Sequence, residues 1–182
     1  AAQMGLPVSR LIVATNMNDI LYRALSGGDY SRQDVAPTIS PAMDIQVSSN
    51  FERLLFDLHD CNGQELATLM ETFSESGQLI LGKAQLEKAA QIFVPQRVDE
   101  QATLKGIRDV YQEVGILIDP HTAVGIAART GGRSAMNVPV VTLATAHPAK
   151  FPYPVQQATG ILPELPPQLA DLYEREEQYD TL

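Results

Sequence analysis

Two turns of the sequence place hydroxyl, amide and imidazole groups directly after apolar, strand-like runs. The first run ends at Thr15 and continues into the polar residues 16–19, and the second run, residues 139–144, is followed by Thr145 and His147. In open α/β sheets, ligands bind beyond the carboxyl ends of the strands. These turns therefore favour a small-molecule site. The alternative is that Thr145 only caps the following helix and that His147 lies on the surface.

A second group of polar side chains lies in one segment before a predicted helix. Its candidate ligands are Ser48, Ser49, Asn50 and Arg53. Free backbone N–H groups at the start of this helix, with the hydroxyls and the guanidinium, suit an anion such as a phosphate ester. The spacing from Ser49 to Glu52 equally fits a capping box that only starts the helix. The residues leave both interpretations open.

The histidines do not follow the spacing of a metal site. His59, His121 and His147 lie far apart, and none has a His or Cys partner one helical turn away. We therefore expect no zinc site. Asp119 stands two residues before His121, and its pattern predicts a helix N-cap with a proline at the first helical position.

The elements that must position these residues alternate between strands and helices. We predict strands over 10–15 and 139–144, and extended segments that are strands at most over 35–39 and 77–81. We predict helices over 20–25, 51–58, 64–73, 84–93, 99–114, 123–129 and about 151–159, and an acidic helical tail over 171–177. This order favours an α/β structure with a parallel sheet.

Two features indicate a piece of a longer polypeptide. Two convincing strands make an incomplete sheet, and residues 1–4 look like the last turn of a helix that ends at Gly5. We therefore expect that a further part of the protein precedes this chain.

Composition narrows the class of function. The 182 residues carry 13 Lys and Arg against 22 Asp and Glu, a net charge of −9. Such a balance argues against nucleic acid and against an anionic membrane surface as partners. No apolar run approaches the roughly 20 residues of a membrane span. With Cys61 as the single cysteine no intrachain disulfide can form, and we expect a cytoplasmic protein.

Four stretches of the chain together resemble one enzyme family. They are Leu-Ile-Val-Ala-Thr-Asn-Met-Asn-Asp-Ile-Leu at 11–21, Ser-Pro-Ala-Met-Asp-Ile-Gln-Val-Ser-Ser-Asn-Phe-Glu-Arg-Leu-Leu at 40–55, Asp-Pro-His-Thr-Ala-Val-Gly at 119–125 and Leu-Ala-Thr-Ala-His-Pro-Ala-Lys-Phe-Pro at 143–152. In order and approximate spacing they resemble the C-terminal portion of threonine synthases of the bacterial and fungal class. Residues 60–100 resemble the family only loosely.

The resemblance implies a fold and a reaction. Residues 1–182 would be the C-terminal part of the large domain of a fold-type II pyridoxal-phosphate enzyme, a partial three-layer α/β structure with a parallel sheet. The family converts O-phospho-L-homoserine and water to L-threonine and phosphate, using pyridoxal 5'-phosphate as an electron sink. The Schiff-base lysine and the phosphate-binding loop of the family precede the region that this chain resembles. The missing N-terminal half would thus be its partner, and the chain alone would be inactive.

The resemblance also implies roles for individual residues. Thr145 would face the pyridine nitrogen of the cofactor, and His147 would lie near the same site. Candidates for the substrate side are Ser48, Ser49, Asn50 and Arg53, with Asp119 and His121 lining or bracing the cleft. Two alternatives remain: a non-catalytic interaction domain derived from the same fold, and a related phospho-amino-acid lyase such as a cysteate synthase.

Overall fold

The computed structural model describes residues 4–131 and 139–181 of the chain. In chain order its strands and helices are β1 (Leu11–Thr15), α1 (Ile20–Gly27), α2 (Phe51–Leu58), α3 (Gly63–Ser76), α4 (Lys83–Ala90), β2 (Phe93–Arg97), α5 (Glu100–Val114), α6 (Pro120–Gly131) and α7 (Pro152–Thr159). Short 3₁₀ turns occur at Pro41–Met43, Pro148–Lys150, Pro167–Leu169 and Leu172–Glu174. The predicted α/β class is confirmed.

The strands form a parallel pair. Leu11 of β1 lies opposite Phe93 of β2, and Thr15 lies opposite Arg97. The helices α1 to α4 lie between them in the chain and make the crossover that parallel neighbours require. The carboxyl ends of both strands therefore meet at one edge of the sheet, where Thr15 and Arg97 stand.

The strand β2 corrects the predicted helix over 84–93. The helix α4 ends at Ala90, and the chain turns into β2 at Phe93. The aromatic and β-branched side chains of Phe93 and Val94 favour a strand over a helix. Pro95 hides this strand from a pattern search, because proline lacks the N–H group that a central strand uses on both sides.

The main hydrophobic core lies among α1 to α4. Its fully or almost fully buried members include Ile20, Ala24, Tyr30, Phe51, Leu55, Phe73, Leu79 and Ala89. The ring of Tyr30 stacks against Phe51 and Phe73 with centroid distances of 4.7 and 5.1 Å. Gly28 ends α1 at φ +84°, and a Cβ there would lie 2.8 Å from the backbone oxygen of Leu81. Only glycine fits this close approach.

A smaller core joins the last three helices. Ile107 of α5, Ala123 of α6 and Val155 of α7 are each 0% exposed and pack together. The helix α5 starts where the sequence predicts, because the carboxylate of Asp99 accepts a hydrogen bond of 2.7 Å from the N–H of Ala102.

Residues 139–144 are not the buried strand that their pattern predicts. They form no strand in the structure, and Val141 and Leu143 are 81% and 78% exposed. A β-strand exists only where a neighbour accepts its backbone hydrogen bonds, and among the described residues none does so here. The apolar pattern of residues 139–144 indicates a surface that packs against a partner, but it does not identify that partner.

Three weaker predictions are also settled. Residues 35–39 are irregular, because Pro37 removes a ladder donor, and residues 77–81 form a single bridge between Ile80 and Asp29. The acidic tail over 171–177 is not an α-helix beyond the 3₁₀ turn Leu172–Glu174, since its like charges repel one another and nothing apolar is buried. Residues 1–3 lie outside the description, and Gly5 adopts φ +93° as a helix-ending glycine does. None of the described helices is long and apolar enough to pass through a bilayer.

Candidate functional site

A partly buried polar network occupies the turn that follows β1. We call it the Asp44 network, and its members are Asn16, Asn18, Thr38, Ser40 and Asp44. The amide nitrogens of Asn16 and Asn18 lie 2.7 and 2.9 Å from one carboxylate oxygen of Asp44, and the hydroxyl of Thr38 donates to the same oxygen at 2.7 Å. The other oxygen accepts the N–H of Thr38 at 2.8 Å. This saturation of a half-buried carboxylate holds the loop 36–44 against the end of β1.

The neighbouring charges are paired as well. The carboxylate of Asp19 accepts bonds from Arg23 at 3.1 Å and from Arg97, at the end of β2, at 2.8 Å. Arg23 also reaches Asp29 at 2.6 Å. A hydrogen bond from Ser31 and the guanidinium of Arg23 outweigh desolvation and lower the pKa of Asp29. These pairs tie the two strands to α1.

A second cluster forms at the start of α6. We call it the Asp119 cluster, and its members are Asp119, His121, Thr122 and Thr145. The side chain of Asp119 is fully buried and accepts hydrogen bonds from the N–H groups of His121 and Thr122 at 2.9 and 3.4 Å. It also accepts a short bond from the hydroxyl of Thr122. The predicted N-cap role of Asp119 agrees with these contacts.

The carboxylate of Asp119 remains ionised in spite of its burial. Burial by itself would raise the pKa of Asp119, but the hydrogen bonds from Thr122 and His121 outweigh that effect and lower it. The positive end of the helix α6 adds to the stabilisation of the charge.

His121 joins the two clusters. Its Nδ1 lies 2.9 Å from an oxygen of Asp119, and its Nε2 accepts the N–H of Ala42 at 3.0 Å. Because an N–H group can only donate, Nε2 must be the unprotonated nitrogen and Nδ1 must carry the hydrogen. The imidazole is therefore a neutral bridge. The ring of Phe151 packs against it at a centroid distance of 4.4 Å.

Thr145 is the exposed end of the Asp119 cluster. Its N–H donates to the hydroxyl oxygen of Thr122 at 3.1 Å, which fixes the backbone of the turn. Its own hydroxyl lies 3.2 Å from that of Thr122 and 3.4 to 3.5 Å from the oxygens of Asp119. These are long distances for O–H···O bonds. The hydroxyl can therefore rotate to an outside acceptor at small cost.

His147 stands beside this turn as a cap. Its Nδ1 accepts the N–H of Ala149 at 3.2 Å and so begins the 3₁₀ turn Pro148–Lys150. The residue is exposed. The imidazole thus has a local structural role, and the rest of the ring is open to solvent.

The segment Ser48–Arg53 is placed apart from the Asp119 cluster. Ser48 donates its N–H to the hydroxyl of Tyr30 at 2.8 Å, which anchors the segment on the main core. Ser49, Asn50 and Arg53 are exposed, and the N-cap of α2 is Asn50, whose side chain makes no capping bond. The alternative interpretation, a capping box from Ser49 to Glu52, is therefore wrong, because Ser49 is not the N-cap and the N-cap residue makes no side-chain capping bond. No hydrogen bond among the described residues joins this segment directly to Thr145.

Two surface hollows lie elsewhere on the molecule. One, of about 630 Å³, is lined by Arg32, Asp34, Glu75 and neighbours, and the other, of about 400 Å³, by His59, Glu65 and part of α3. Neither contains a predicted site residue. Within residues 4–131 and 139–181 no group of three or more His, Cys, Asp or Glu side chains could hold a metal ion.

Sequence reasoning missed two members of the site. Thr122 stands three residues after the N-cap Asp119, and this spacing could have indicated that its hydroxyl reaches back to the cap. Ala42 contributes only its backbone N–H to His121, 79 residues away, and no residue type signals such a contact. The turns after β1 and before α7 are linked indirectly, by a series of hydrogen bonds that runs through Ser40, Ala42 and His121.

The family model and the similar proteins that match this chain agree with one another. Residues 122–182 match the family model described as threonine synthase, C-terminal. The threonine synthase of Pseudomonas aeruginosa is 50% identical over 183 residues, covering 100% of this chain and 39% of that protein.

Two solved structures share the fold. The structure of threonine synthase from Brucella melitensis with bound PLP matches 100% of this chain and 39% of its own, with a TM-score of 0.92 and 43% identity. Threonine synthase from yeast matches 97% of this chain and 39% of its own, with a TM-score of 0.87 and 35% identity. The chain thus spans about two fifths of the length of the relatives that it matches.

Proposed function

We propose that this chain, which belongs to the threonine synthase family, forms one part of an active site that converts O-phospho-L-homoserine and water to L-threonine and phosphate. The observation that carries the proposal is the exposed hydroxyl of Thr145, held at the end of a buried, saturated cluster. A rigid support that carries one exposed polar group with only long internal contacts is the arrangement of a ligand contact.

Pyridoxal 5'-phosphate is the cofactor we propose, and when bound it supplies an electron sink for carbanions. The residues present fit it. The hydroxyl of Thr145 has only long internal contacts, so it can donate to an unprotonated ring nitrogen. His147 lies two residues further along and borders the same turn. Thr122, whose hydroxyl donates to Asp119, holds the backbone of Thr145 in place, and Asp119 need not touch the cofactor.

We propose that the Schiff-base lysine belongs to another part of the protein. Lys83 and Lys105 pair with carboxylates on their own helices, and Lys88 is held by the backbone oxygen of Asp57 at 2.6 Å. Lys150 lies over the ring of Phe151 at 5.6 Å. All four lysines are exposed, as surface residues are. The chain alone is therefore expected to lack covalent cofactor binding.

The substrate phosphate is assigned to the segment Ser48–Arg53. Arg53 is exposed, and a guanidinium with neighbouring hydroxyls binds phosphate with charge-assisted hydrogen bonds. Asn50 stands at the start of α2, where the helix dipole favours an anion. These contacts bind and orient the phosphate before it leaves.

The apolar segment 139–144 fits the same proposal. Val140, Val141 and Leu143 are 46%, 81% and 78% exposed, although their type is that of a buried strand. We propose that the N-terminal part of the full-length enzyme covers them. Such a covered segment would carry Thr145 into the interior. The cytoplasm is the expected location.

The test uses the full-length protein that contains this chain. The wild-type protein is expected to release phosphate from O-phospho-L-homoserine and to form L-threonine. Thr145→Val should lower turnover about tenfold or more, because a methyl group cannot hydrogen-bond, whereas Thr145→Ser keeps the hydroxyl and should stay near wild type. Equal kinetics for the valine and serine variants would reject the role of Thr145. Release of phosphate from phosphoserine alone would indicate a different phospho-amino-acid lyase.

A further inference from the structure

We propose that His121 is a positioning residue that couples the loop leading to the substrate segment with the Thr145 hydroxyl. The inference rests on the proposed function, since it assigns the two ends to substrate and cofactor. It gives a specific form to the expectation that Asp119 and His121 line or brace the cleft. Both ring nitrogens are already engaged, so neither is free for a substrate.

One end of the coupling is the N–H of Ala42. This residue lies in the 3₁₀ turn Pro41–Met43, between Ser40 and Asp44 of the Asp44 network. The chain runs from this turn through Gln46, which is within 3.5 Å of Arg23, to Ser48, anchored on Tyr30. The hydrogen bond to His121 therefore fixes one end of the stretch that leads to the segment Ser48–Arg53, and the bond of Ser48 to Tyr30 fixes the other end.

The other end is the carboxylate of Asp119. The Nδ1–H of His121 donates to the same oxygen that lies 3.4 Å from the hydroxyl of Thr145. Loss of this donor leaves Asp119 with one acceptor site open, and the hydroxyl of Thr145 is the nearest group that can fill it. Thr145 would then turn inward and away from an outside acceptor.

Burial alone does not explain the choice of histidine. His121 is 8% exposed and stacks on Phe151, which a leucine or methionine could also do. Only histidine supplies a donor and an acceptor at opposite sides of one rigid ring. Asparagine reproduces the Nδ1 donor without the Nε2 acceptor, and glutamine reproduces an acceptor near Nε2 without the Nδ1 donor.

Because asparagine and glutamine each retain a different one of these two groups, the two contacts of His121 can be tested separately. In the full-length enzyme, His121→Asn should keep the bond to Asp119 and lose that to Ala42, raising KM for phosphohomoserine about tenfold while the absorption spectrum of bound pyridoxal phosphate stays unchanged. His121→Gln should keep KM within about twofold, lower kcat about tenfold and shift that spectrum. His59→Gln, at the C-terminal end of α2, is the matched control and should change neither constant, because the side chain of His59 bonds Glu65 and none of the groups in the proposed link.

Amide exchange provides a readout that does not depend on activity. The N–H of Ala42 should lose its protection in His121→Asn and keep it in His121→Gln. Inactive wild-type protein would reject the proposed function, whereas the exchange result would still decide whether the link exists. Any other pattern overturns the inference, in particular equal changes of KM, kcat and exchange in both variants, as a purely structural role would give.

Discussion

The main core and the segment 139–145 differ in how far this chain completes them. Around Tyr30 and Leu55, four helices bury their apolar faces against one another, and the side chain of Leu55 is 0% exposed. Along 139–144, Val140, Val141 and Leu143 face solvent, and the N–H of Thr145 at the end of the segment donates a hydrogen bond to Thr122. The first region has its apolar side chains buried within this chain, whereas the second exposes apolar side chains that we propose the N-terminal part of the enzyme covers.

The largest expected effect concerns the main core. Leu55→Ala removes a fully buried side chain from the centre of the main core and leaves a cavity. We expect the free energy of unfolding of the 182-residue chain to fall by about 2–5 kcal/mol. Urea unfolding followed by circular dichroism measures this. A loss as small as that of a surface mutation would show that the core is not the source of stability.

The second prediction concerns the Asp44 network. Asp44→Ala leaves the amides of Asn16 and Asn18 and the hydroxyl of Thr38 without their shared acceptor. The free energy of unfolding should fall by about 1.5–3 kcal/mol, because these donors lose their bonds to a charged group and keep only neutral acceptors, such as Ser40 for Asn16 and the carbonyl oxygen of Ala36 for Asn18. Asp34→Ala, on an exposed loop, is the control in the same urea measurement. If both variants lose equally little, the loop 36–44 is not held by this network.

The sequence predicts the main core better than the segment 139–145, for physical reasons. The helices α2 and α5 were correctly predicted, because an apolar stripe and an N-cap are local signals. The strand β2 was not, since a strand depends on a distant partner and Pro95 disguises it. Residues 139–144 were predicted as buried because apolar type indicates burial in the finished protein, whatever part of it provides the cover.

The same distinction applies to the candidate site. Asp119 was predicted as an N-cap from its neighbours in sequence, and the structure agrees. The bridge from His121 to Ala42 spans 79 residues and uses a backbone N–H, which every residue except proline has. Residue types therefore indicate the contacts within residues 119–122. The contact between His121 and Ala42 can be seen only in the folded structure.

The third prediction concerns how the stability of the chain depends on pH through Asp119, which is buried beside Thr145. Because its folded-state pKa is lowered, Asp119 stabilises the protein above its unfolded pKa of about 3.9, and this contribution is lost as the pH falls through the folded value. Asp119→Asn should cost about 1–2 kcal/mol at pH 7 and progressively less towards pH 3. Urea unfolding at pH 7, 5 and 3 measures the difference. A difference that is constant with pH would mean that the charge of Asp119 does not matter for stability.

The smallest effect on this chain gives the sharpest test of the comparison. Leu143 is 78% exposed, so Leu143→Ser should change the free energy of unfolding of the 182-residue chain by less than about 0.5 kcal/mol. In the full-length protein the same substitution should lower it by about 1–3 kcal/mol, because there the side chain would be buried against the N-terminal part. Tyr173→Ser, at 78% exposure near the C-terminus, serves as the control in both proteins. If Leu143→Ser is neutral in both as well, the segment 139–144 is an ordinary exposed loop, and the proposal that another part of the enzyme covers it fails.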